Sequence, residues 1–393
     1  MKKILSVIVL LLAAISLGAM VGALTAGFLH LVEWGQDWLW NSLTSSLPWQ
    51  ILLITVIGGI LVGLCQKYLG DYPKGINEAV TTLQKTGRLE YSSLPKGMIT
   101  AYVSLIAGAS LGPEAALVDL LGGLGTWAGD LISSLRARLQ LPLPQQFKNQ
   151  VEKTLQHWPN LLALAAGALA LIKLLNGMYS GGFLSPHEPF QWVDLAWSIP
   201  LSALGAAAGA LFLFMQNWTR RLAAPFEHKP ILRAASGGVL LGIAALGLPM
   251  ILFSGQHLLQ PAYEQYLQIG FVTLFLTALV RLLMTNILLA TGWKGGQFLP
   301  MMFGAAALGL SVSALFPVIP AATAALAVIG ALVAVVLPKP WIALVLMALM
   351  FPFQYVGVSV VSVGLVVIGK QIKERRQKKK TAMALSADRK SVV

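Results

Sequence analysis

Apolar residues along the chain fall in long runs rather than in alternation: 4–29, 51–64, 158–175, 200–215, 231–253, 270–290, 301–337 and 341–369. A helix needs about 20 predominantly apolar residues to cross a bilayer, so runs of this kind predict membrane helices. The polar stretches between them are short. Lys85 to Leu94, Arg136 to Gln156 and Asn217 to Pro230 read as connections, and no segment reads as an appended soluble domain. The first run follows Lys2 and Lys3 as a secretory signal would, but its hydrophobicity continues through VGALTAGFLHLV. That is longer than a signal core, and the segment is expected to remain as the first membrane helix. The expected fold class is all-α and multi-pass over residues 1–370, with a basic tail, 371–393, expected to be disordered.

Composition strengthens this reading. The 393 residues are 56% hydrophobic and 11% charged, against about 25% charged in a typical soluble domain. The net charge of +13 is concentrated at the ends, in Lys2, Lys3 and KQIKERRQKKK (370–380). The positive-inside bias then puts both termini in the cytoplasm and the chain in a cell membrane. The basic tail reads as a topology signal with attraction to anionic lipid, not as a nucleic-acid binder. A single cysteine, Cys65, excludes an internal disulfide and a multi-cysteine metal site.

Several runs are broken by glycine or proline, at Gly58-Gly59, Gly112-Pro113, Gly237-Gly238 and Gly295-Gly296. Broken helices persist at membrane depth only where the freed backbone is buried or lines a cavity. Two breaks correspond across the halves of the chain. AGASLGPEAALVDLLGG (107–123) and GWKGGQFLPMMFGAAALGL (292–310) each place glycines and a proline before a helix rich in small residues. Free amides and the positive dipole end at such a helix start suit an anion. Paired breaks in two halves point to a transport site built from half-helix ends.

Three motifs in order carry a resemblance to the CLC chloride channels and proton/chloride exchangers. GGQFLP (295–300) matches the G-x-F-x-P motif at Gly296, Phe298 and Pro300. PKGINE (73–78) resembles G-S-G-I-P-E and keeps Gly75, Ile76 and Glu78. SLGPE (110–114) resembles G-[K/R]-E-G-P and keeps Gly112 and Pro113. The resemblance implies antiparallel inverted repeats with broken helices (about 1–190 and 191–370), a pore within each subunit and a homodimer. It implies chloride or a similar small anion as the transported species and calls for no cofactor. Lys74, Gly75, Ile76, Ser110, Leu111, Gly112, Gln297 and Phe298 are then the candidate anion-binding positions.

The departures from the pattern concern the gate. The family's glutamate before Gly-Pro is replaced by Leu111, which carries no proton and mimics no anion. Leu111 could act as a hydrophobic constriction. Glu114, three residues on, is either a helix-start carboxylate that stabilises the break or a relocated gate. Lys74 stands where the family has an anion-holding serine; it could contact the anion, pair with Glu114, or reach the surface beside Asp71. No tyrosine follows Tyr355 to supply the family's second hydroxyl, and titratable stations are few: Glu78, Glu114, Asp119 and Asp130. These features favour passive anion transport. The alternatives are a proton-coupled antiporter using Glu114 and a transport-inactive scaffold.

Other candidates are weaker. His187 and Glu188 form no metal set without further ligands, and His257 reads as part of a solvated turn. The tryptophans, including Trp34, Trp38, Trp40 and Trp49, read as an interfacial belt.

Overall fold

In the computed structural model, residues 2–43, 49–138, 184–186 and 188–391 are described. The apolar run 158–175, most of the connection 136–156, and His187 lie outside the described residues. The helices, in chain order, are α1 (Lys2–Leu43), α2 (Trp49–Leu69), α3 (Ile76–Thr86), α4 (Leu94–Ile106), α5 (Glu114–Arg138), α6 (Val193–Ala223) and α7 (Pro230–Gly247). They continue as α8 (Leu259–Glu264), α9 (Tyr266–Ile269), α10 (Phe271–Ala290), α11 (Phe298–Leu315), α12 (Ala321–Val336), α13 (Trp341–Met350) and α14 (Val356–Ser391). Six helices among the described residues are long and apolar enough to cross a membrane. The expected all-α membrane class is therefore what the chain adopts.

The chain forms two compact units, neither continuous in sequence. The first comprises Met1–Gly181, Gln216–Gly255 and Leu283–Pro300; the second comprises Gly182–Met215, Gln256–Leu282 and Met301–Val393.

In the first unit α2 packs along α7, and glycine makes that approach possible. Added side chains at Gly59 and Gly63 of α2 would run into the backbone of α7 at Ala234 and Ile231. Those at Gly238 and Gly242 of α7 would run into Thr55 of α2. Both helices thus carry glycines four residues apart on the contact face, the small-xxx-small pattern that permits close membrane packing. Gly63→Val is expected to separate the pair and cost about 1–3 kcal/mol of stability. A fall in the thermal midpoint of the detergent-solubilised protein would register the loss.

The break after α4 is held by α1. The Gln36 side chain donates to Leu105 O (3.0 Å) and the Trp40 indole N–H to Ile106 O (2.8 Å). These are carbonyls that a helix end leaves without an intrahelical partner. Gly108 turns the chain at φ 84°, and its missing side chain leaves room for the Trp40 ring. Trp40 is accordingly buried, whereas Trp34, Trp38 and Trp49 are exposed as belt residues would be. The expectation that all four tryptophans face an interface is corrected at Trp40, whose indole N–H caps a buried helix end.

In the second unit α12, α13 and α14 pack together. The predicted run 301–337 is two helices, because Pro317 and Pro320 end α11 and start α12. Arg281 of α10 is buried and lies over the Phe303 ring of α11, 4.5 Å from its centre. The Lys370 ammonium donates to Ala334, Val335 and Leu337 carbonyls, closing the C-terminal end of α12. The basic segment beyond it, expected to be disordered, continues α14 to Ser391. Its Lys, Arg, Glu, Gln and Ala residues are all good helix formers, and that propensity outweighs the charge run. Likewise the connection expected at 217–230 is helical as far as Ala223, with Arg220 and Arg221 in the last turn, where cations suit the dipole.

Candidate functional site

The two glycine breaks of the first unit meet directly. Gly112 N–H donates to Gly296 O (2.8 Å) and Gly296 N–H to Gly112 O (2.5 Å), a reciprocal bridge between the starts of α5 and α11. The sequence dictates both starts. Pro113 precedes the first residue of α5, and Pro300 stands in the first turn of α11, positions where a missing N–H costs nothing.

Glu114, the first residue of α5, turns its carboxylate back into this junction. Its Oε1 accepts the Leu299 N–H at 2.6 Å, inside the first turn of α11. Its Oε2 is shielded from solvent and has no hydrogen-bond partner. A side chain added at either Gly112 or Gly296 would collide with this carboxylate. The carboxylate therefore lies in a cradle of two glycine backbones, at the positive end of a helix other than its own.

A cavity of about 350 Å³ opens beside this junction within the first unit. Its wall includes Lys74 and Gly75 of the first motif, Ala115, and Gly295 to Phe298 of the second motif. Lys74, Gly75, Gln297 and Phe298 are thus brought to one cavity, and Ile76 follows as the first residue of α3. Among the described residues, no protein acceptor lies against the N–H groups of Gly75, Gln297 or Phe298.

The third motif behaves differently. Leu111 N–H bonds to Ala109 O at 2.7 Å, and Gly112 N–H is held in the bridge, so neither is open to the cavity. Ser110 and Leu111 are fully buried away from its wall. Ser110 O accepts from the Thr285 hydroxyl at 3.2 Å, and the Ser110 hydroxyl has no partner.

The charged residues of the cavity are largely paired. Lys74 Nζ meets Glu78 at 2.8 Å, the i,i+4 neighbour, rather than Glu114. The hydrogen bond and the Coulombic attraction of Glu78 hold the Lys74 ammonium above the usual lysine pKa. Asp71 pairs not with Lys74 but with Lys294, at 2.7 Å. Arg220 also faces the cavity, and among the described residues no carboxylate lies within ion-pair distance of it. Gln216 donates to Gln297 Oε1 at 3.1 Å, fixing the outer side chain of the second motif.

Behind the second motif, Trp293 is buried and donates to Ala234 O at 2.9 Å, and Lys294 N–H donates to Ser104 Oγ at 3.2 Å. Leu299, Lys294, Gln216 and Arg220 are absent from the sequence-derived candidates, and Asp71 entered only as a surface neighbour of Lys74. Leu299 could have been found by counting one residue further into the helix start; the others depend on contacts between distant segments. Among the described residues, no group of three or more His, Cys, Asp or Glu is placed to hold a metal ion.

Residues 153–368, more than half of the chain, match the family model described as voltage gated chloride channel. The chain belongs to the voltage-gated chloride channel (CLC) family. The CLC resemblance carried by the three motifs is thereby borne out. Relatives named "Putative ion-transport protein YfeO", from Salmonella paratyphi A (strain ATCC 9150 / SARB42) and Salmonella newport (strain SL254), are each 26% identical over 379 residues. These alignments cover 88% of this chain and 90% of each relative. Two solved structures share the CLC fold. A slow cyanobacterial Cl-/H+ antiporter superposes with a TM-score of 0.71 at 23% identity, covering 95% of this chain and 99% of its own. A CLC-type fluoride/proton antiporter superposes with a TM-score of 0.67 at 17% identity, covering 92% and 94%.

Proposed function

We propose that the protein carries small anions, chloride foremost, passively across the cell membrane, and that the Glu114 carboxylate gates the path. The observation that carries this reading is the Glu114–Leu299 hydrogen bond. A tethered carboxylate there fills a place suited to a free anion, and an anion reaching the Leu299 N–H must displace it. The open N–H groups at Gly75, Gln297 and Phe298 supply further anion contacts along the cavity. Amides hold an anion without a full opposing charge, so release stays fast. Leu111, buried against the bridge, then backs the gate instead of forming a constriction. In this reading the gating role, left open between Leu111 and Glu114 by the sequence, falls to Glu114.

The same reading has both termini in the cytoplasm, following the basic segments at 2–3 and 370–380, and two copies forming a homodimer, as the resemblance implies. A second reading, proton-coupled antiport, is favoured by one observation: Glu114 Oε2 is shielded and unpartnered, a place a transported proton could occupy.

Chloride efflux from proteoliposomes, with external pH recorded together, separates the two. Passive transport gives chloride efflux with no proton movement in fixed ratio. A fixed ratio would replace it with the antiport reading, and absence of flux for chloride and for substituted halides or nitrate would leave only a scaffold.

A further inference from the structure

The first motif loop is also closed by a carboxylate, and it comes from the same helix. Asp119 of α5 accepts the Lys74 N–H at 3.2 Å, in the turn that leads into α3. Each motif loop at the cavity therefore has one amide held by an acid of α5: Leu299 by Glu114, and Lys74 by Asp119, five residues along.

Resting on the transport reading above, we propose that Asp119 is a counterpart of Glu114 at the first motif, a tethered carboxylate that competes with the transported anion for the amides of the Lys74–Gly75 turn. Three features support competition over simple capping. A neutral oxygen would cap the turn equally well, yet the residue is an acid in a chain with only 15 acids among 393 residues. Its charge has no close counter-ion: among the described residues no ammonium or guanidinium forms an ion pair with Asp119. The two lysines whose charge reaches Asp119 are paired elsewhere, Lys74 with Glu78 and Lys294 with Asp71. Lys294 and Lys74 attract Asp119 at longer range and Glu78 opposes them. The carboxylate is thus held chiefly by one amide, a bond that an arriving anion can exchange. The neighbouring N–H group of Gly75 stands open to receive that anion.

The test is a chloride titration of thermal stability for the full-length protein, with gluconate keeping ionic strength constant. A bound anion raises the midpoint as the logarithm of one plus the ratio of chloride concentration to Kd, so the concentration at which the rise sets in reports Kd. Asp119→Asn keeps an oxygen for the Lys74 N–H and removes only the charge. Competition predicts that a given rise in midpoint needs about tenfold less chloride in this variant than in the wild type. Asp119→Ala, which frees the amide as well, should shift the same way even if its baseline midpoint falls. Wild-type stabilisation with an unchanged chloride requirement in both variants would overturn the role of Asp119 and leave the transport reading standing. No chloride-dependent stabilisation in the wild type or either variant would overturn both.

Discussion

Replacing Gly296 by alanine will destabilise the junction and, by driving out the Glu114 carboxylate, raise anion flux, and removing the Glu114 side chain will relieve much of the destabilisation. The methyl group would occupy space now filled by the Glu114 carboxylate, 2.9 Å from the Glu114 Cβ and closer still to the carboxyl atoms. Gly296 is not in a left-handed conformation, so an alanine suits its backbone and the penalty is one of space. The reciprocal bridge to Gly112 fixes the loop on one side, and the first turn of α11 fixes it on the other. The carboxylate must therefore leave. Overpacking of this kind costs about 1–3 kcal/mol. The double variant Gly296→Ala with Glu114→Ala removes the colliding group, so the two effects should be strongly non-additive. Thermal midpoints and chloride efflux of the four proteins in that cycle check it. Simple additivity would mean that the glycine serves the loop alone and not the carboxylate.

Glu114→Gln is expected to raise chloride efflux at neutral pH and to remove its dependence on pH. The wild-type carboxylate holds the Leu299 N–H by a charged hydrogen bond, worth about 1.5–3 kcal/mol. Glutamine keeps a neutral hydrogen bond to that N–H, about half as strong, so about 0.8–1.5 kcal/mol of the grip is lost, roughly a 3- to 12-fold rise in open population since each 1.4 kcal/mol is tenfold. The sign follows from the charge. Protonation neutralises Glu114 and weakens its hold, so wild-type efflux rises as pH falls, while the glutamine is neutral at every pH and stays high. A variant that loses flux while retaining the wild-type midpoint would instead make the charged carboxylate a required part of the path.

Much of the fold can be read from the chain because membrane helices are written as long apolar runs. α2 and α10 coincide with such runs, and Pro113 and Pro300 mark the helix starts at the site. The relation between the two motif loops could not be read that way. The Gly112–Gly296 bridge joins residues far apart in sequence, and nothing local to either loop announces it. That bridge bears on three of the expected anion positions. It takes the Gly112 N–H and leaves Ser110 and Leu111 buried behind it. It also sets Glu114 against α11, which settles where the carboxylate points but could not be inferred from its place after the proline. Lys74 is a different case. Its partner Glu78 lies one helical turn away and was legible from spacing, whereas Lys294, which claims Asp71, came from the other half of the chain.

The most direct measurement is chloride binding by isothermal titration to the wild type and to Glu114→Ala, both full length and in the same detergent. If the carboxylate stands in an anion's place, the alanine variant binds one more chloride than the wild type, or binds it about tenfold or more tightly, as expected when a charged competitor is removed. Equal stoichiometry and equal affinity would contradict this, and Glu114 would be only a carboxylate that stabilises the start of α5.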